Sequence, residues 1–185
     1  HTLALNLVSS PGAGKTLLLE QTLLSLKDQI PVAVIEGDQA TDQDARRIAA
    51  TGVKVVQVNT GTGCHLDASM IQRATQQLAP LQQHLLMIEN VGNLVCPALF
   101  DLGENAKVVL LSVTEGDDKP LKYPHMFQAA SLLLITKTDL LPYVDFSVER
   151  CIDFARRINP GIAVMQLSAR SGDGMAHWCQ WLLQR

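Results

Sequence analysis

Short, wholly apolar runs alternate along this chain with longer stretches whose apolar residues recur at helical spacing. Seven runs read as strands: Leu3 to Val8, Val32 to Ile35, Val53 to Val58, Leu85 to Ile88, Val108 to Val113, Leu132 to Ile135 and Val164 to Leu167. Between them the spacing predicts helices. The first runs from Lys15 to Lys27 with Leu19, Leu23 and Leu26 on its inner face. The next is capped by Thr41-Asp42-Gln43-Asp44 and closed by Gly52. Others cover Leu66 to Leu78, Tyr123 to Ala130, Ser147 to Ile158 and Met175 to Leu183. Strands apolar on both faces and alternating with helices predict an α/β fold, with a mainly parallel sheet of about seven strands flanked by helices. No internal repeat or low-complexity linker divides the chain, so residues 1–185 read as one domain. The longest irregular stretches are Gly92 to Glu104 and Glu115 to Tyr123, and such segments often carry function.

Composition narrows the classes. The chain is 47% hydrophobic but only 4% aromatic, so Leu, Val, Ile and Ala must fill its core. A net charge of -3 without any Lys/Arg run argues against nucleic acid and against an anionic membrane as partners. No apolar stretch approaches the ~18–20 residues of a membrane span. No signal peptide is read in the sequence given, which begins at His1 rather than Met, so an N-terminal segment is expected to be missing from it. Cys64, Cys96, Cys151 and Cys179 do not form the dense pattern of a secreted disulfide scaffold. So few thiols beside a nucleotide site suggest a cytoplasmic protein, in which unpaired Cys is either core or ligand.

Candidate chemistry begins at Ser9-Ser10-Pro11-Gly12-Ala13-Gly14-Lys15-Thr16, between a strand and a helix. It fits the P-loop pattern G-x-x-x-x-G-K-[ST] except that Ser9 takes the first position. Gly12 and Gly14 let the backbone curl until successive N–H groups face phosphate, where the helix N-terminus adds partial positive charge. Lys15 is expected to reach the outer phosphates and the Thr16 hydroxyl to bind magnesium. Two further strands run into acids, Glu36-Gly37-Asp38 and Glu89-Asn90-Val91-Gly92. Asp38 and Glu89 are the expected magnesium-site acids, and Asp38 is the best-placed residue to orient water. Gly92, three residues past Glu89, resembles the switch glycine of a D-x-x-G motif and can offer its N–H to a γ-phosphate. Asp42 and Asp44 read as helix N-terminal acids. Thr136-Lys137-Thr138-Asp139 resembles the guanine-reading N-K-x-D motif, with Thr136 in place of Asn. The Asp139 carboxylate would accept from guanine N1 and N2, donors that adenine does not supply together. Ser168-Ala169 resembles the S-A-x loop that contacts guanine O6. No arginine finger is legible.

A second constellation is soft. Cys64-His65 precedes a helix, and Cys96 lies seven residues beyond Glu89. Thiolate and imidazole suit zinc, nickel or copper(I) rather than magnesium. Three ligands fall short of the four of a closed structural site, and a two-fold dimer would supply a duplicate set. Spacing alone equally allows Cys64 and Cys96 to be small core residues and His65 a helix cap. Cys151 and Cys179 lie in helical patterns and read as core. His1, His84, His125 and His177 have no assigned role.

These segments together are similar to the hydrogenase nickel-incorporation GTPases, the HypB family. The resemblance rests on Val8-Ser9-Ser10-Pro11-Gly12, Glu36-Gly37-Asp38-Gln39, Asn59-Thr60-Gly61, Gly63-Cys64-His65-Leu66-Asp67, Glu89 through Pro97 and Ser112 through Pro124. It spans essentially the whole chain. It implies GTP and GDP as ligands with Mg2+, a P-loop GTPase domain, and a GTP-linked homodimer with Ni2+ or Zn2+ at its interface. It implies Cys64, His65 and Cys96 as ligands. It implies nickel delivery to [NiFe]-hydrogenase with a hydrogenase accessory protein and the hydrogenase large subunit as partners. Ser9 is allowed by the family's phosphate loop, whereas Thr136 departs from its Asn. Two rival readings are an ATP-using P-loop kinase or ATPase, which a base-competition assay would reveal, and a GTPase whose metal only staples a dimer, which would bind metal independently of nucleotide.

Overall fold

The computed structural model of the chain describes residues 2–38, 42–79 and 84–185. Seven strands form one all-parallel sheet in the order β3-β2-β4-β1-β5-β6-β7. They are β1 Leu3–Ser9, β2 Val32–Asp38, β3 Lys54–Asn59, β4 Leu85–Glu89, β5 Ala106–Ser112, β6 Leu132–Thr136 and β7 Ala163–Gln166. Every expected strand is present. The helices are α1 Lys15–Leu26, α2 Gln43–Ala49, α3 Ala68–Leu78, α4 Lys119–Lys122, α5 Pro124–Ala129, α6 Val148–Ile158 and α7 Met175–Leu183.

Burial follows the pleat, because successive strand residues point to opposite faces. Leu5, Leu7, Val34, Met87, Leu110 and Leu134 pack with Leu19 and Leu23 of α1 and Trp178 of α7. On the other face the apolar core divides. Val109, Leu111, Leu133 and Ile135 gather with Phe127 and Cys151, whereas Ala33, Ile35, Leu86 and Ile88 gather with Ile71 and Ala74 of α3. Between these two clusters β1 presents Asn6, fully buried, in place of an apolar side chain.

Several boundaries differ from expectation, and three of the differences bear on the site. Helix α3 begins at Ala68 rather than Leu66, because the Asp67 carboxylate accepts the Met70 N–H at 2.8 Å and caps it there. Leu66 is thereby left outside the helix and buried. The helix expected from Tyr123 covers only α5, and α4 precedes it as a separate turn, since the residue before Pro124 is steered away from helical backbone. Strand β2 extends three residues further, to Asp38, which brings Glu36 into the sheet. Thr41, expected in a helix cap, lies outside the described residues, as do Gln39 and His1. Two 3-10 turns follow β4 and β6: Cys96–Ala98, in a segment read as irregular, and Thr138–Tyr143, which begins within the Thr136–Asp139 motif.

All seven strands point the same way, so Ser9, Asp38, Asn59, Glu89, Ser112, Thr136 and Gln166 end on one edge of the sheet. That edge is where parallel α/β sheets bind ligands.

Candidate functional site

The loop after β1 curls as its glycines predicted. Gly12 and Gly14 have φ of 75° and 96°, a left-handed conformation that costs glycine little, and Gly14 is the N-cap of α1. A cavity of about 510 Å³ opens over this loop. Its walls include Lys15, Thr16, Asp38, Glu89 and Gly92, together with Glu36, Asp44 and Arg47. Lys15 Nζ donates to Ser9 Oγ at 2.8 Å, so the serine in the motif's first position holds the lysine within the loop. Burial pushes the Lys15 pKa down, against the opposing pull of Glu89 and other nearby carboxylates. Gly92 approaches the loop so closely that a Cβ there would stand 3.0 Å from Pro11 Cα.

Glu36 is the residue that the sequence reading passed over. Strands β2 and β4 place it directly beside Glu89, and both side chains are almost fully buried. Thr16 Oγ1 donates to Glu89 Oε1 at 2.9 Å, while Glu36 Oε2 and Glu89 Oε2 have no hydrogen-bond partner. Burial, reinforced by the charges of Glu89, Asp38 and Asp44, pushes the Glu36 carboxyl up to about 8. Burial likewise pushes Glu89 up to about 7, opposed by Lys15 and the Thr16 hydrogen bond. Buried carboxylate oxygens without partners, facing a cavity beside a hydroxyl, are the donor set of a hard divalent cation. Part of the signal was available, since Glu36 directly continues an apolar strand; the register that sets it beside Glu89 is visible only in the sheet. Asp44 does sit in the first turn of α2, as expected, and also faces the cavity. Arg47 lies on the same wall, gripped by Glu20 at 2.7 Å.

A second cavity of about 220 Å³ adjoins the first on the other side of Gly14. Thr136, Lys137, Asp139, Ser168 and Ala169 line it. The Thr136 hydroxyl, buried, donates to the Ala13 carbonyl at 2.7 Å, tying this motif to the phosphate loop without an amide. Lys137 Nζ donates to the Gly12 carbonyl at 2.7 Å. Among the described residues Lys137 is the one non-glycine with positive φ, at 58°. Such a conformation is unfavourable for a side-chain-bearing residue and persists where the surroundings hold it. Ser168 Oγ donates to Asp139 Oδ1 at 2.6 Å, which leaves the other carboxylate oxygen available.

The soft residues also converge. The ligand atoms of Cys64, His65 and Cys96 all lie within 4.8 Å of one another. Cys64 Sγ is 2.8 Å from Cys96 Sγ and 3.6 Å from His65 Nδ1, and both cysteines are free thiols. The His65 ring stacks on Phe100 with centroids 3.9 Å apart, which fixes its plane. All three are half-buried, at the phosphate edge of the sheet. Cys151 is fully buried and its thiol is pushed up to about 12, in keeping with a core role. Cys179 is half-buried and packs against the core of the α1 face.

The fold and these cavities define a P-loop nucleotide-binding protein carrying two thiols and an imidazole beside its phosphate cavity. The family model "CobW/HypB/UreG, nucleotide-binding domain" matches residues 3–166, and the chain belongs to this family. It is 66% identical over 178 residues to the hydrogenase maturation factor HypB of Azotobacter chroococcum mcd 1, covering 96% of this chain and 58% of that one. To the corresponding factor of Escherichia coli (strain K12) it is 64% identical over 180 residues, covering 97% of this chain and 62% of that one. The crystal structure of HypB from Helicobacter pylori in complex with nickel is similar at a TM-score of 0.93 and 41% identity, covering 99% of this chain and 86% of that one. The chain thus spans about three fifths of the length of the first two relatives.

Proposed function

We propose that this chain binds and hydrolyses GTP and uses the nucleotide to govern capture and release of nickel at Cys64, His65 and Cys96. The observation that carries the reading is a shared segment. The stretch from Glu89 to Gly92 lines the phosphate cavity, and the same stretch continues without a helix or strand into Cys96. In this reading Lys15 and the backbone N–H groups of Gly12, Ala13 and Gly14 hold the phosphates, as in other P-loop proteins. Thr16, Glu89, Glu36 and Asp38 would hold Mg2+, which supplies charge neutralisation for phosphoryl transfer when bound. Asp38 orients the attacking water. Asp139 selects guanine through two N–H donors, the Lys137 stem packs on the base, and Ala169 offers its N–H to O6.

Nickel is the cargo, and zinc is the competing soft ion. Three ligands leave coordination positions for a second copy of the chain or for an acceptor, which supports a GTP-linked homodimer with the metal at its interface. The similarity to hydrogenase maturation factors supports an accessory protein and the large subunit of a [NiFe]-hydrogenase as partners, in the cytoplasm. The test is calorimetric titration of Ni2+ into the GDP-bound chain and into the chain bound to a non-hydrolysable GTP analogue. Affinities differing by roughly 5–150-fold, a coupling of typical size, support the reading. Equal affinities refute nucleotide-governed delivery, and a preference for ATP over GTP in competition refutes the base assignment.

A further inference from the structure

Two asparagines flank Gly92, and each reaches out of the switch segment to grip the backbone of the Cys64–His65 turn. Asn90 Oδ1 accepts the Leu66 N–H at 3.2 Å and the Val91 N–H at 2.9 Å. Asn93 Nδ2 donates to the Cys64 carbonyl at 3.2 Å, while its Oδ1 accepts the Val95 N–H at 2.7 Å. The turn bearing two of the three soft ligands is therefore suspended, on both sides of His65, from the segment that abuts the phosphate loop.

Cys96 is tied elsewhere. Lys107, buried at the start of β5, donates its Nζ to the Pro97 carbonyl at 2.9 Å and to the Phe100 carbonyl at 3.1 Å. Glu104 stands 3.7 Å from the same ammonium. The 3-10 turn that begins at Cys96 is thus pinned to the sheet. The two thiols lie 2.8 Å apart but belong to different bodies, one hung from the switch segment and the other held by β5. Asn90 is itself anchored to β1, its N–H donating to the Leu7 carbonyl at 3.0 Å. A displacement of Gly92 resisted at Pro97 and Phe100 but followed by Asn93 would therefore swing Cys64 and His65 about Asn90 and move them relative to Cys96.

We propose that Asn90 and Asn93 are the positioning residues that transmit nucleotide state to the Cys64–His65 half of the soft-metal site. The inference rests on the reading that nucleotide and metal are linked, and it specifies the route. The backbone from Gly92 to Cys96 is a second connection, but Lys107 restrains its far end.

The experiment measures Ni2+ affinity by competition with a chelator, at saturating GDP and at saturating non-hydrolysable GTP analogue. It is done on the chain as it stands and on Asn93→Ala, Asn90→Ala and Asn90→Asp. The expected result is that the ratio of the two affinities, typically 5–150-fold where sites are coupled, falls toward one in both alanine variants. Asn90→Asp keeps an acceptor for Leu66 and Val91 and should retain more of the ratio than Asn90→Ala. The thiolate-to-nickel absorption band should persist in each, because all three ligands remain. Asn90 is buried, so if Asn90→Ala fails to fold, the half-buried Asn93→Ala carries the test alone. An unchanged ratio, or an equal loss of affinity in both nucleotide states, overturns the inference and leaves the linkage itself standing. A ratio of one in the unsubstituted chain overturns both.

Discussion

Glu36 and Glu89 stand side by side on β2 and β4, buried and facing one cavity, and each holds its proton far above the ordinary carboxylate range. A divalent cation binding there must displace those protons. With the two carboxyls at about 8 and about 7, lowering the pH from 8 to 6 should weaken Mg2+ binding to the nucleotide-free chain by roughly several hundred-fold, each displaced proton adding about tenfold per pH unit below its pKa. The same shifts set stability in the opposite sense. Unfolded carboxyls titrate near about 4.3, so the folded chain binds more protons between there and pH 8. Without a cation the extra proton binding stabilises the fold fully below that point, and the contribution is lost as pH rises through 7 and 8. Magnesium should restore stability at high pH. Calorimetry in two buffers of different ionisation enthalpy counts the protons released, and thermal melts at pH 6 and pH 8, with and without Mg2+, follow the stability. Glu36→Gln removes one of the two displaced protons. It should flatten the pH dependence of Mg2+ affinity and raise the cation-free melting temperature at pH 8. A Mg2+ affinity that does not vary between pH 6 and 8, or binding without proton release, would show that these carboxyls are not the cation's ligands.

Asp139→Asn forfeits two charge-assisted hydrogen bonds of ~1.5–3 kcal/mol each, so GTP should bind about 10²–10⁴-fold more weakly while xanthosine triphosphate gains; nucleotide competition reads this, and unchanged GTP affinity would place the base elsewhere. At the neighbouring motif position, Thr136→Asn keeps a donor for the Ala13 carbonyl and should tighten guanine binding, whereas Thr136→Val leaves that buried carbonyl unpaired and should cost ~1–3 kcal/mol in urea unfolding. Cys64→Ala or Cys96→Ala should each abolish tight nickel or zinc binding, and the remaining affinity of the unsubstituted chain should decline with falling pH as the thiolates are protonated. Cys151→Ala and Cys179→Ala should leave it intact; comparable losses there would mean that ligand and core cysteines had been confused.

Much of the fold was legible because a parallel sheet writes itself as apolar runs. Val108 to Val113 and Leu132 to Ile135 have no alternation to mislead, and glycine or an acid marks several of their ends. The P-loop was equally plain, since Gly12, Gly14, Lys15 and Thr16 act within one local turn. Glu36 was missed because the strand was read as ending at Ile35. An ionisable residue within a strand looks like a terminus until the neighbouring strand, 53 residues away in sequence at Glu89, supplies a reason for it. The meeting of Cys64 with Cys96 could not be derived from spacing, because it depends on β2 and β4 being neighbours while β3 lies at the sheet's edge. Likeness to a family pointed to it, and sheet order accounts for it.

The polar seam under the metal loops lay further still from view. Asn6 of β1 and Lys107 of β5, with Asn90 just past β4 and Glu104 just before β5, form a seam beside Val8, Ile88, Val109 and Leu111. Burying four such groups is costly unless each finds partners, and apolar residues of similar volume are often at least as stabilising. Here the partners are found: Asn6 Nδ2 donates to Glu104 Oε1 at 2.9 Å, and Asn90 Nδ2 donates to Asn6 Oδ1 at 3.2 Å. An apolar seam would pack the sheet as well, but it has no directional bond with which to hold Leu66 N–H or the Pro97 carbonyl. The network therefore serves position rather than bulk stability. It gives the Cys64–His65 turn and the Cys96 turn separate directional anchors, the first on Asn90 and Asn93 and the second on Lys107, at the edge of the sheet that carries the P-loop.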